Sequence, residues 1–306
     1  MTPEFIVLVI TGIVGLTTPI LLAGLGELVV EKSGVLNLGV EGMMLMGALA
    51  GFGVTVMTFN PWLGLISAAC AGAVLALLFG VMVLSLNSNQ VATGLALTIF
   101  GIGVSSLIGS KMFQGRITPV FGSVFPNSLA KDPILQVFFG YSPIVYFALI
   151  MVPLVAWFLK STRAGLILRA VGENDHSAHS IGYSVIGVRY AAIAFGGAMA
   201  GIGGAYFTMV ITPMWSNELT AGRGWLALSL VVFAGWRTWR LLAGAFFFGI
   251  LMSLELYAKG AGFSFVPSQF WAAMPFLMTV VALTFISSRG NVGASAPACL
   301  GKPFLP

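Results

Sequence analysis

The chain has 306 residues, of which 58% are hydrophobic and only 8% are charged, whereas a soluble domain carries roughly a quarter charged residues. Its net charge is +5, but the basic residues are scattered over short loops and do not form the dense patch that nucleic acid requires. The composition therefore excludes a water-soluble globule and a nucleic-acid partner, and it predicts an all-α polytopic membrane protein.

Apolar runs predict nine helices that could each cross a bilayer, whose core needs about 20 apolar residues per helix. The seventh run is short for a full crossing, so we expect either a half-helix or an upstream extension there. Lysines and arginines divide nine to five between alternate loops, which predicts an external N-terminus and a cytoplasmic C-terminus. The nine runs cover residues 5–30, 35–59, 62–86, 91–109, 142–159, 189–211, 224–236, 241–258 and 269–287.

We therefore expect about eight to ten transmembrane helices in a single domain over residues 1–306. No stretch between the runs is suited to a separate soluble domain. The last residues, about 289–306, are rich in Gly, Pro and Ala, and this composition predicts a disordered tail.

The segment EKSGVLNLGVEGMM, residues 31–44, interrupts the first two apolar runs with glycines and polar residues. Glycine weakens a helix, so we predict that one helix ends near Lys32 and that another begins near Asn37. Asn37 suits a helix N-cap, and Glu41 would lie near the positive end of the second helix. Two interpretations remain open: a plain turn at the membrane surface, or a broken helix that forms a transport site.

A second polar segment, NSNQVATG at residues 87–94, interrupts the third and fourth runs. It is either a plain turn between helices or a second part of the same site. We predict that Asn37, Glu41, Asn89 and Gln90 approach one another at the inner end of a substrate pathway. The neutral amides of Asn37, Asn89 and Gln90 suit a neutral polar solute.

Residues 160–188 form the longest basic loop that we expect on the cytoplasmic side. Within it, residues 173–181 can form a short amphipathic helix that ends at Gly182, either solvated or in contact with a partner. His176 and His179 lack the further ligands and support that a zinc site needs, so we predict no metal site. Neither a phosphate-binding loop nor a catalytic motif is found in the chain, which argues against an enzyme.

The segments GELVVEKSGVLNLGVEGMMLMGALAGF and SNQVATGLALTIFG resemble permease subunits of ATP-binding-cassette (ABC) importers for simple sugars and nucleosides. These permeases are related to branched-chain amino acid and ribose permeases. The cytoplasmic loop, with Gly172, Glu173, Asn174 and then Gly182, is similar to their coupling segment. The resemblance covers most of residues 26–249, and it departs from the family pattern at Asp175, where many relatives have proline.

The resemblance implies an ABC importer permease fold with broken helices in the plasma (inner) membrane. It implies three protein partners: an ABC ATPase subunit, a second homologous permease subunit and an extracytoplasmic substrate-binding protein. ATP would be bound by the ATPase, so no cofactor is expected in this chain, and the transported solute would be a nucleoside or simple sugar. The residues expected to serve ATPase coupling are Arg163, Arg169, Glu173, Asn174, Ala178 and Gly182.

Two functions are compatible with the sequence. In the first, the chain is a permease whose alternating access is driven by a partner ATPase. In the second, it is a stand-alone secondary transporter or channel for a small polar solute. Ion-coupled transport usually needs ionisable groups within the spans, and after Glu41 only Glu255 is an acidic residue inside a predicted run. The scarcity of such groups favours the first function.

Overall fold

The computed structural model describes residues 3–113, 121–124, 133–260, 268–288 and 296–305, and every regular element in these ranges is helical. Two π-helical turns, Val81–Ser85 and Phe207–Ile211, extend the third and ninth helices. The helices are α1 (Pro3–Lys32), α2 (Val40–Thr58), α3 (Pro61–Gly80), α4 (Gln90–Met112), α5 (Pro133–Phe139), α6 (Pro143–Ser161), α7 (Arg163–Glu173), α8 (Asp175–Ser180), α9 (Val185–Tyr206), α10 (Arg223–Phe233), α11 (Thr238–Gly260) and α12 (Ser268–Ser288).

Six helical segments in the described ranges are long and apolar enough to cross a membrane. They coincide with the first six apolar runs of the sequence, so the predicted all-α, multi-spanning class is confirmed. Helices α11 and α12 cover the eighth and ninth runs. The expected total of eight to ten crossings stays a prediction, as does the assignment of residues 1–306 to one domain. The six segments are Phe5–Lys32, Val40–Thr58, Pro61–Ser85, Gln90–Met112, Pro143–Ser161 and Val185–Ile211.

The seventh run is a half-helix. Helix α10 has 11 residues, which corresponds to about 16 Å, roughly half of a bilayer core about 30 Å thick. Just beyond its C-terminal end, the indole N–H of Trp236 donates a hydrogen bond to the carboxylate of Glu31, in the last turn of α1. Because this end is level with the end of α1, the N-terminus of α10 lies about midway through the membrane-spanning layer.

Helix α9 packs against α1, α2 and α3 through bare backbone. A Cβ atom added at Gly201 would lie 2.2 Å from the carbonyl oxygen of Ala68 on α3, and one at Gly47 on α2 would lie 2.3 Å from Cα of Gly201. On α1, a Cβ at Gly26 would lie 2.8 Å from the carbonyl oxygen of Gly196. Small residues allow this close approach, which provides van der Waals packing where lipid supplies no hydrophobic driving force between helices.

The end of the chain is ordered where the structure describes it, so the prediction of a disordered tail over about 289–306 is wrong for residues 296–305. The N–H of Cys299 donates to the carbonyl of Gly172 at 2.9 Å, and that of Gly301 donates to Gly34 at 3.2 Å. Phe304 is only 6% exposed. Composition predicted disorder because it does not reveal backbone pairing with distant segments. Residues 289–295 and 306 lie outside the described ranges.

We expect Gly201→Ala to lower the free energy of unfolding by about 1–3 kcal/mol, because the added methyl group overpacks a backbone contact. Gly103→Ala is the matched control, since a Cβ at this exposed position on α4 meets no atom within 4 Å. Its stability should stay the same or rise by up to about 1 kcal/mol through better helix propensity. Thermal unfolding of both variants in detergent measures the difference, and equal melting temperatures would contradict the proposed backbone contact.

Candidate functional site

The segment between α1 and α2, residues 33–39, is irregular backbone that is largely buried. Helix α1 ends at Lys32, as predicted, whereas α2 begins at Val40 rather than near Asn37. Gly34 has a φ of +91°, and its N–H bonds to the carbonyl of Glu31 at 2.9 Å. A glycine in this left-handed conformation commonly ends a helix. We call residues 33–39 the α1–α2 break.

Side chains from α4 satisfy part of the backbone of this break. Gln90 is 5% exposed, and its Oε1 accepts a hydrogen bond from the N–H of Leu36 at 2.8 Å. Its Nε2 donates to the carbonyl of Lys302 in the C-terminal segment at 3.4 Å. About two helical turns further along α4, the hydroxyl of Thr98 donates to the carbonyl of Leu38 at 3.0 Å. Gln90 therefore fixes the break to α4 and to the end of the chain.

Asn37 lies wholly inside the break and is fully buried. Its N–H donates to Oε1 of Glu27, on α1, at 3.2 Å. Its side-chain Oδ1 accepts from the N–H of Gly39 at 2.9 Å, so the amide shapes the turn that precedes α2 without being its N-cap, which is Gly39. The backbone of Asn37 thereby lies level with Glu27, and the break folds back along α1.

Glu41 forms the densest set of polar contacts in this region. The Glu41 carboxylate is 4% exposed and accepts hydrogen bonds from the Thr220 hydroxyl, the N–H of Gly222 at 2.8 Å and the N–H of Gly224 at 2.6 Å. These donors surround the N-terminus of α10, where the helix dipole favours negative charge. Glu41 therefore binds the start of α2 to the start of the half-helix.

The four residues predicted to line the pathway thus have different surroundings. Gln90 bonds to the α1–α2 break, Asn37 is part of it, and Glu41 follows it directly but faces α10. Asn89 is exposed, and its side chain caps α4 by accepting from the N–H of Ala92 at 3.0 Å. The sequence did not reveal that Thr220 and the two glycines around Arg223 meet Glu41. The only available indication was a glycine pair just before an apolar run.

The predicted cytoplasmic loop contains two helices, α7 and α8, instead of one. Asn174 lies between them and caps α8, because its Oδ1 accepts from the N–H of Ser177 at 2.9 Å. Gly182 has a φ of +92°, and its N–H bonds to the carbonyl of His179 at 2.9 Å. The helix predicted over 173–181 is therefore shorter, Asp175–Ser180, and the chain turns at Gly182 as expected.

The side chains expected to contact an ATPase divide into exposed and buried groups. Arg163 and Glu173 are exposed, and Arg169 is half-buried. Ala178 is only 2% exposed because it packs in a small cluster with Val171, Val185 and Phe304 of this same chain. Ala178 therefore faces the permease, contrary to its expected role as a contact for a partner.

Arg189 connects α8 to the α1–α2 break, and sequence reasoning missed this connection. Its guanidinium is fully buried, bonds Oδ2 of Asp175 at 3.0 Å as an ion pair and donates from Nε to the carbonyl of Ser33 at 3.2 Å. A Cβ at Gly34 would lie 3.0 Å from Nη2 of Arg189, so glycine also leaves room for this group. One indication of this connection was present in the sequence: an arginine at the start of an apolar helix, 14 residues after an aspartate.

The fold and these contacts define a multi-pass membrane protein with a broken-helix interior and a helical loop attached to it. A family model described as branched-chain amino acid transport system / permease component matches residues 9–283, and the chain belongs to this family. TsgC13 of Haloferax volcanii, provisionally named as a glucose ABC transporter permease protein, is 39% identical over 305 residues, covering 92% of this chain and 93% of the relative.

Two further relatives are informative. The guanosine ABC transporter permease protein NupQ of Bacillus subtilis is 30% identical, over 94% of this chain and 93% of its own length. The glucose ABC transporter permease protein TsgB13, also of Haloferax volcanii, is 27% identical over 76% of this chain and 65% of its own length. No solved structure shows a significant match to the chain.

The chain is therefore the permease component of an ABC transporter in the cell membrane, and it is not itself an enzyme. The family implies an ATPase partner. The sequence-based predictions of family, fold class and membrane location are confirmed. The alternative of a stand-alone secondary transporter is wrong.

We expect Arg189→Met and Asp175→Leu each to lower stability by about 3–5 kcal/mol, because each leaves the other charge buried and unpaired. The double variant should recover part of this loss, since apolar residues of similar volume can replace a buried ion pair. Thermal unfolding of the three variants measures the coupling between the two side chains. Exposed Arg163→Met serves as the control with little change. Strictly additive losses in the double variant would show that the ion pair is not a unit.

Proposed function

We propose that this permease translocates a neutral polar solute, a nucleoside or a simple sugar, by alternating access driven by the partner ATPase. The names of the relatives support this substrate class: TsgC13 carries a provisional glucose name, and NupQ is named for guanosine. Both relatives align with this chain over more than nine-tenths of its length.

The observation that carries the choice of a neutral solute is the carboxylate at the start of α10. In transporters with broken helices, the N-terminus of a half-helix commonly points at an anionic group of the substrate. Here Glu41 already accepts from Gly222 and Gly224, so the negative charge that the half-helix favours is supplied by the protein. A second carboxylate, such as that of an amino acid, would be repelled from this position.

Asn37, Glu41, Asn89 and Gln90 remain our candidates for the pathway, with Asn89 and Gln90 at its inner end and Glu41 deeper, beside the N-terminus of α10. Asn37 and Gln90 hold the backbone of the α1–α2 break, and Glu41 fixes α10 beside it. Asn89 is exposed at the start of α4 and can contact solute that leaves the pathway.

The matches to TsgC13 and TsgB13 also support a transporter with two different permease subunits, because one organism has two permeases similar to this chain. We propose that this chain pairs with a second homologous permease. An extracytoplasmic binding protein would deliver the solute to the pair.

The same proposal assigns the coupling role to α7 and α8, with Arg163, Arg169, Glu173, Asn174 and Gly182. Exposed Glu173 and Ile181, which is 71% exposed, offer polar and apolar contacts to the ATPase. Movement of α8 reaches the α1–α2 break through the Asp175–Arg189 ion pair and the bond from Arg189 to Ser33. Ala178 supports α8 from within the permease.

The substrate class is tested by uptake in cells with and without this gene. We expect gene-dependent uptake of a labelled nucleoside such as guanosine or of a simple sugar such as glucose, and growth on that compound as sole carbon source. Leucine is the comparison solute, because it carries the carboxylate that Glu41 would repel, and it should not be taken up through this protein. Gene-dependent uptake of leucine alone would overturn the proposed neutral class.

The coupling role is tested in the reconstituted complex. Glu173→Arg reverses an exposed charge at the junction of α7 and α8, and Gly182→Val places a β-branched residue at a φ of +92°. Both variants should insert and bind the ATPase, but solute uptake should fall while ATP hydrolysis continues. Uptake and ATPase activity are measured on the same preparation.

Two controls separate coupling from general damage. Gly182→Asn should retain uptake, because asparagine tolerates the left-handed conformation. Lys111→Glu is a charge reversal of equal size in the last turn of α4, at the end of that helix far from the α1–α2 break. Uptake by this variant should be unchanged. Normal transport by Glu173→Arg and Gly182→Val, with the ATPase still bound, would exclude this loop as the coupling element.

A further inference from the structure

An apolar cavity of about 370 Å³ lies between α6, α7 and α9, apart from the polar contacts described above. It reaches inwards as far as α1. Its deepest side chains are buried, whereas those at its mouth are exposed to the surroundings of the protein. The floor includes Val29, Val155 and Ala192, and the mouth includes Leu154, Ala164 and Ala191.

The chemistry of this cavity does not suit the transported solute. Every side chain that lines it is apolar, among them Phe158 of α6 and Phe195 of α9. A pocket for a sugar or nucleoside needs polar groups placed to bond its hydroxyls. Since an apolar pocket gains most from an apolar occupant, the lining favours a hydrocarbon chain.

The cavity lies close to one edge of the membrane-spanning layer. Trp157, one residue before Phe158, is 61% exposed, and Lys160 follows in the last turn of α6. Tryptophan and lysine at the end of a span are typical of the headgroup level. The cavity thus begins where the acyl chains of the adjacent leaflet begin, and its open side faces them.

The charges at this edge specify the kind of headgroup. Arg163 lies one helical turn before Ile167, on the face of α7 that lines the cavity, and Lys160 in the last turn of α6 adds a second cation at the same membrane edge. Both side chains are exposed. Basic side chains at the membrane surface attract anionic lipid headgroups. We propose that the cavity binds an acyl chain of an anionic phospholipid, whose headgroup pairs with Lys160 and Arg163.

This lipid would pack directly against α7, because Ala164, Ile167 and Leu168 of that helix form one wall of the cavity. Helix α7 leads directly into α8 through Asn174. The bound chain would therefore be part of the packing that holds this pair of helices against α6 and α9. Binding of the lipid does not depend on which solute is transported.

The test uses the assembled transporter in vesicles that contain a trace of photoactivatable lipid. Phosphatidylglycerol and phosphatidylcholine with the same acyl-chain photoprobe are compared, and labelled residues are located by mass spectrometry. We expect phosphatidylglycerol to label α6, α7 and α9 around the cavity in preference to phosphatidylcholine. Lys160→Gln should reduce this preference by about fivefold, the effect of one basic residue near an anionic surface.

Ala191→Phe fills the mouth of the cavity and should abolish labelling there. Ala96→Phe is the matched control on α4, where an exposed alanine lies away from the cavity, and it should leave labelling intact. Lys111→Gln, in the last turn of α4, is the corresponding control for Lys160→Gln. Equal labelling by both lipids, or labelling unaffected by Ala191→Phe, would overturn the proposal. Disulfide cross-linking of the Ala191→Cys variant to another subunit would also overturn it, because the cavity would then be a protein interface.

Discussion

Peptide groups that lie inside a membrane protein must be hydrogen-bonded by the protein itself, and the α1–α2 break is where this requirement is greatest. Gln90 accepts from Leu36, Thr98 donates to the carbonyl of Leu38, and Glu27 accepts from Asn37. These partners come from α1 and α4, and Arg189 of α9 adds a bond to Ser33. The break therefore fixes the relative positions of the helices around it.

A polar framework thus runs through an apolar protein. Glu41 joins α2 to the half-helix α10, while Glu31 receives the indole N–H of Trp236 at the other end of α10. Both carboxylates are buried, and each is stabilised by donors from a segment far away in the chain. The half-helix is consequently held at both ends by side chains from the first two helices, which offsets the cost of placing these groups inside the protein.

Much of the fold could be predicted from the sequence, because long apolar runs and glycine-rich interruptions are local signals. The end of α1, the half-length of α10 and the turn at Gly182 all follow from such signals. Partners could not be predicted, since Glu41 meets Thr220 and Arg189 meets Ser33 only after the chain has folded. Likewise, six residues of α8 are too few for a periodic pattern to show that Ala178 faces inwards.

The close backbone contacts of α9 have a mechanical consequence. A helix that touches its neighbours through interdigitated side chains can slide by changing rotamers, but Gly201 and Gly197 have no rotamers to change. Helix α9 and the parts of α1, α2 and α3 that it touches must therefore tilt as one rigid lever. Arg189 lies at one end of this lever, where the proposed coupling would apply a push from α8. The contact between Thr208 and α2 lies more than five helical turns away along the same axis, so in the proposed coupling the push would arrive there as a rotation of the whole group.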